Sequence, residues 1–167
     1  PDDLGNPASQ LKRATEGVCR EAALEVFATS IKDLAQYADE YGIDLLIENN
    51  VTSVENLDAN GNSSLLLSSP DEIQHFFDQM QISNLGLLLD VGHAKISANS
   101  FNIKPEQFFT QLNSYIKALH LSDNNGLRDT NTKFSINSWF IPYLKQHSSK
   151  PMVIEVYNLQ INELIEQ

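Results

Sequence analysis

The stretch Leu85-Gly86-Leu87-Leu88-Leu89-Asp90-Val91-Gly92-His93 decides the fold. Its apolar run, unbroken from Leu87 to Leu89, stops at a carboxylate, a glycine and an imidazole. A strand buried on both faces reads this way, and such strands belong to parallel sheets. In those sheets, ligands and catalytic groups collect at the C-terminal strand ends. The pattern recurs: Ile43 to Ile47 runs into Glu48, Ile116 to Leu119 into His120, and Met152 to Ile154 into Glu155. Apolar strands that each close on a metal-competent or acid/base side chain are the strongest signal in the chain.

The segments between these strands read as helices. Leu11, Val18, Ala22, Val26, Ile31, Leu34 and Ala38 recur at helical steps from Ser9 to about Tyr41, with Gly17 a weak point and Gly42 placed to end the helix. Residues 49–69, rich in Asn and Ser, read as a long loop after a strand, where barrels carry function. Ser69-Pro70-Asp71-Glu72 is a helix start, and Ile73, Phe76, Phe77 and Met80 face a core. Lys104-Pro105-Glu106 opens another helix, with Phe108, Phe109 and Leu112 inward. A polar loop over 122–134 precedes a predicted helix from Ile136 to His147, and the chain ends in a helix-like Leu159–Glu166. Residues 1–8 are turn-like.

Strand–helix units in series predict an α/β fold with a parallel sheet. A closed eight-stranded βα barrel typically takes about 250 residues. The 167 residues here hold half that number of strands. An open arc would expose two apolar edges, which natural proteins avoid. The expectation is therefore a single partial TIM-barrel domain over residues 1–167, with about four parallel strands and flanking helices. Its missing half would come from a longer product or from another chain, as in a homo-oligomer. A flavodoxin-like sheet is the alternative, without its Gly-rich phosphate loop.

A net charge of −11 argues against broad binding to nucleic acid or anionic membranes, which needs basic patches. The only cysteine, Cys19, falls in a helical pattern and reads as a buried structural thiol, so no disulfide framework exists. The start Pro1-Asp2-Asp3-Leu4-Gly5 is not a signal peptide, and no apolar run approaches the roughly 20 residues of a membrane span. A cytoplasmic location is expected.

Glu48, Asp90, His120 and Glu155 offer carboxylates and one imidazole at strand ends. A lone strand-end glutamate is ordinarily a loop salt bridge. Several acids converging with an imidazole would repel one another and lose hydration unless a cation joined them. Such a donor set suits one divalent ion (Mn²⁺, Mg²⁺, Co²⁺ or Zn²⁺) with open positions for catalysis. His93, three residues after Asp90, is a candidate ligand or substrate hydrogen-bonder. His75 and His147 lie in helix patterns and read as surface or packing residues.

Taken together, Leu45-Leu46-Ile47-Glu48-Asn49, Leu88-Leu89-Asp90-Val91-Gly92-His93-Ala94, His120-Leu121-Ser122-Asp123-Asn124-Asn125-Gly126 and Val153-Ile154-Glu155-Val156 resemble the xylose isomerase-like TIM barrels. That superfamily holds sugar and sugar-phosphate isomerases and epimerases and the endonuclease IV type of repair enzyme. The resemblance covers nearly the whole chain. It implies βα units 4 to 7, preceded by helix 3 and lacking the first three strands. It also implies that Glu48, Asp90, His120 and Glu155 hold one divalent metal. Glu48 and Glu155 would flank the substrate carbon and move its proton through an enediolate. His93, Asp123, Arg128 and Asp129 would contact a sugar or sugar phosphate. The chemistry is coherent, since deprotonation next to a carbonyl needs a positioned base and an electrophile for the developing oxyanion.

One departure separates the branches. The family often carries Asp-x-His and then glycines after the sixth strand, and the endonuclease branch uses that pair as ligands. This chain reads Arg128-Asp129-Thr130-Asn131-Thr132, with Asn131 in place of the histidine. The resemblance therefore favours the isomerase/epimerase branch over a zinc phosphodiesterase acting on abasic DNA. A barrel fragment serving only as a binding or scaffold domain is the third reading.

Overall fold

The computed structural model describes residues 19–157. The turn over 1–8, the helix over 9–18 with Gly17, and the terminal helix Leu159–Glu166 lie outside the described residues. Four strands, β1 (Leu45–Glu48), β2 (Leu85–Asp90), β3 (Ile116–Leu121) and β4 (Met152–Ile154), form one parallel sheet in the order β1-β2-β3-β4. Strands laid down in chain order follow the wall of a barrel. A doubly wound sheet instead reverses its order at a switch point.

The helices are α1 (Arg20–Asp39), α2 (Pro70–Met80), α3 (Val91–Phe101), α4 (Glu106–Leu112) and the short α5 (Ile141–Leu144), with single turns of 3₁₀ helix at Val54–Asn56 and Lys145–His147. Past α1, Gly42 takes the left-handed conformation (φ +66°), and the chain turns at once toward β1. Ser69 caps α2 by accepting a hydrogen bond from the Glu72 N–H, and Pro70 occupies the first turn.

Alternate residues of a strand share a face, which sorts the side chains. Leu87, Leu89, Ile116 and Leu119 point toward the helices and are fully buried against Ile73, Phe76, Phe108, Phe109 and Leu112. Each such side chain contributes roughly 1.5–3 kcal/mol through removal from water. The opposite face carries Leu46, Leu88, Ala118 and Val153, and ends in Glu48, Asp90, His120 and Glu155. Leu46 and Leu88 are only half-buried, and Val153 is exposed. Ala118 on this face is buried, and among the described residues β1 and β4 are the edges of the sheet.

Two expectations need correction, and one element was not foreseen. Cys19 is exposed at the N-cap of α1 with its thiol donating to Glu21 Oε2, so it is not a core thiol. The helix predicted over Ile136–His147 shrinks to α5 and the 3₁₀ turn after it. Ser135 and Ser138 form a turn of their own upstream, and Pro142 lacks the N–H that a longer helix would need at that point. Helix α3, a segment to which the sequence reading assigned no element, starts directly at the end of β2 because Asp90 serves as its N-cap.

Candidate metal centre

The four strand-end residues converge. One ligand atom from each of Glu48, Asp90, His120 and Glu155 can be chosen so that all lie within 4.8 Å of one another. His120 Nδ1 sits 2.8 Å from Glu155 Oε2, 3.2 Å from Glu48 Oε1 and 3.9 Å from Asp90 Oδ2. Register explains the meeting, since Asp90 pairs with His120 across the ladder and Glu48 pairs with Leu88, two residues before Asp90. Glu155 follows the last residue of β4, and its N–H donates to the Leu121 carbonyl.

Two atoms at the centre have no hydrogen-bond partner: Asp90 Oδ2 and His120 Nδ1, both buried. The short approach of Glu155 to Nδ1 does not have hydrogen-bond geometry. Orphaned buried polar atoms are costly and call for an explanation. A divalent cation supplies one, and a set of three carboxylates and one imidazole nitrogen matches its chemistry. The residues present fit a metal.

The ligands differ in access. The Asp90 side chain is 1% exposed, whereas those of Glu48 and Glu155 are 40% and 32% exposed. Burial pushes the Asp90 carboxyl up to about 6, against the downward pull of the His93 charge and the His93 N–H bond, with Glu48 and Asp129 adding to the rise. The Oδ1 atom of Asp90 accepts from the His93 N–H at 2.8 Å as the α3 cap, which leaves Oδ2 for the centre.

The other predicted residues fall around this core. His93 sets Nδ1 2.9 Å from the Asn49 carbonyl and Nε2 3.2 Å from Asp129 Oδ2. Burial alone lowers the His93 imidazole; the Asp129 hydrogen bond, the Asp90 and Asp129 charges and the Asn49 carbonyl outweigh it and lift the ring to about 9. Both ring nitrogens therefore carry protons at neutral pH and face acceptors. Asp123 has both oxygens engaged, Oδ1 by Lys95 Nζ (2.6 Å) and Oδ2 by the Ser138 hydroxyl (2.7 Å), and it pairs with Thr132 across a two-stranded bridge. Arg128 is exposed in the same loop. Asn131 is buried at φ +43°, accepting the Ser122 hydroxyl at its Oδ1. His75 is exposed, and His147 is buried beside Phe109 with its ring 5.5 Å away.

Sequence reasoning passed over Gly92 and Asn49. A Cβ on Gly92 would sit 2.5 Å from Ser122 Oγ and 3.2 Å from Asp90 Oδ1, so a larger residue at the start of α3 would have to shift the Ser122 side chain.

The family model for the xylose isomerase-like TIM barrel matches residues 2–154. The chain belongs to that family. Two solved structures share its fold. One is a D-tagatose 3-epimerase-like protein, 21% identical, matched over 99% of this chain and 57% of its own with a TM-score of 0.66. The other is a 3-keto-D-glucoside 4-epimerase from E. coli in its apo form, 11% identical, matched over 93% and 55% with a TM-score of 0.65. The chain thus spans little more than half the length of either. No curated protein matches it. No helix among the described residues is long and apolar enough to cross a membrane.

Proposed function

We propose that the chain carries the metal-binding half of a sugar or sugar-phosphate isomerase or epimerase, corresponding to βα units 4 to 7 of its barrel. The observation that carries this reading is the convergence of Glu48, Asp90, His120 and Glu155 around two orphaned buried atoms. A bound divalent ion would supply an electrophile that stabilises negative charge developing on a substrate oxygen. Glu48 ends β1 and Glu155 follows β4, and both are open enough to meet a substrate carbon. One would take the proton next to the carbonyl and the other would return it. Asp90, shut away from solvent, acts only as a ligand. His93 would present positive charge beside the reacting oxygens, held by Asp129. Asp123 would shape the loop that carries Arg128 and Asp129 to the rim, and Arg128 would reach a hydroxyl or phosphate.

Solvent exchange tests the reading. The purified chain, loaded with Mn²⁺, is incubated in D₂O with a panel of ketoses and their phosphates, and proton NMR follows the carbon next to the carbonyl. Metal-dependent deuterium uptake, lost in Glu48→Gln and Glu155→Gln, is the expected result. Equal exchange in metal-free protein overturns the metal role. Metal binding without exchange of any ketose moves the chain to the binding or scaffold reading.

A further inference from the structure

We propose that Asn49 is a positioning residue of the metal centre, its side chain holding the backbone of Asp90 so that one Asp90 oxygen is presented to the ion. This rests on the metal-centre reading above.

Asn49 follows the ligand Glu48 at the point where β1 leaves the sheet. Its own backbone diverges into the loop, and the next residue, Asn50, donates its N–H to the Leu67 carbonyl. Past that divergence no β1 main chain remains to pair with the last residue of β2. The Asn49 side chain takes over the ladder. Its Oδ1 accepts the Asp90 N–H at 2.8 Å, and its Nδ2 donates to the Asp90 carbonyl at 3.1 Å. The residue is 1% exposed, so neither bond has water as a ready substitute. Its backbone carbonyl also accepts from His93 Nδ1.

Every polar atom of Asp90 but one is thereby accounted for on the site side of the residue. Its N–H and C=O are held by Asn49, and its Oδ1 by the His93 N–H. Only Oδ2 is unpartnered, and it faces His120. An amide can do this because it offers a donor and an acceptor side by side; an ionised carboxylate lacks the donor and an apolar group lacks both. The neighbouring Asn50 shows the contrast. It is exposed, its Nδ2 donates to the Leu66 carbonyl, and it secures only the loop.

The test is Mn²⁺ titration of the full chain and its Asn49→Leu variant by calorimetry, with hydrogen exchange at the Asp90 amide in metal-free protein. Ser97→Ala is the structural control, because it removes the hydroxyl that accepts from the Thr52 N–H in the same loop without touching Asp90. Loss of support behind a metal ligand typically weakens binding about 10–100-fold, and Asn49→Leu is expected in that range with faster Asp90 exchange. Ser97→Ala is expected to lower the melting temperature and leave Mn²⁺ affinity unchanged. Should the leucine variant fail to fold, Asn49→Ala, which leaves room for water, decides by the same two readouts. A folded Asn49 variant that binds Mn²⁺ within about twofold of the parent, well below that loss, overturns the positioning role and leaves the metal centre standing. A parent chain that takes up no Mn²⁺ overturns the metal centre, and the role of Asn49 falls with it.

Discussion

Replacing Asp90 with asparagine should make the metal-free protein more stable while weakening its hold on a metal. The carboxyl is buried and its titration is raised from 3.8 to about 6. An acid raised on folding carries a penalty that is absent below the unfolded value and fully present above the folded one. Stability therefore falls as the pH rises from 3.8 to about 6 and stays reduced beyond. That difference corresponds to roughly 3 kcal/mol, and with a side chain 1% exposed no discount for solvent screening applies. Asparagine escapes the penalty, keeps an oxygen for the His93 N–H, and places an uncharged amide where the carboxylate oxygen faced His120. For a domain of this size the gain amounts to a rise in melting temperature on the order of 6–12 °C. Calorimetry of both metal-free proteins at neutral pH and again at about pH 4 reads it directly. The gap should be wide at neutral pH and close on acidification, once the native carboxyl is itself protonated. With saturating Mn²⁺ the order should reverse, because only the parent gains full binding free energy. An Asp90→Asn protein that melts at or below the parent at neutral pH, or a gap indifferent to pH, refutes the reasoning.

Metal affinity itself should depend on pH. Binding needs the ionised Asp90, so below about 6 Mn²⁺ must displace a proton there, and the association constant should fall up to about tenfold per pH unit from this group alone; calorimetric titrations across that range check it. Gly92→Ala should destabilise by about 1–3 kcal/mol, since its Cβ would lie 2.5 Å from Ser122 Oγ. In a double-mutant cycle, Ser122→Ala should recover part of that loss; strict additivity in denaturant melts would contradict the clash. Phe109→Ala should cost about 3–5 kcal/mol, because the ring is fully buried against Trp139, Tyr143 and His147. Urea unfolding would show it as a lowered midpoint.

The sheet was legible because its strands are apolar on both faces and end abruptly. Leu85–Asp90 and Ile116–Leu121 were read to the residue, and the start of α2 was announced by Ser69 and Pro70. The four candidate ligands were visible for the same reason, as polar groups where apolar runs stop. Helix α3 was not. Its residues Val91 to Phe101 include a glycine, two serines, an asparagine and two β-branched side chains, with little amphipathic periodicity to reveal it. Its start signal, Asp90, had already been claimed by the ligand pattern, and one side chain does both tasks through different oxygens. The helix predicted from Ile136 was overdrawn for the opposite reason. Its apolar spacing comes from Trp139 and Phe140 packing on Phe109 and Phe134 from a turn, not from a continuous helix.

The restraints on the site were the least legible part, and their physical character explains this. A ligand announces itself by type, because few side chains bind a divalent ion. A restraint is built from ordinary side chains and peptide groups brought together by the fold. Asn49 reaches Asp90 across 41 positions of sequence, and His93 reaches the Asn49 carbonyl across 44. Asn131 and Ser122 hold each other under the loop where the family pattern has a histidine. In sequence, an asparagine after a strand reads as a turn residue, and nothing local distinguishes Asn49 from the exposed Asn50 beside it. What separates them is the sheet: the side chain of Asn49 falls where the β1–β2 ladder runs out of backbone. The chemistry of the candidate centre is therefore written in four residues of three types, while its geometry depends on where the parallel ladder stops.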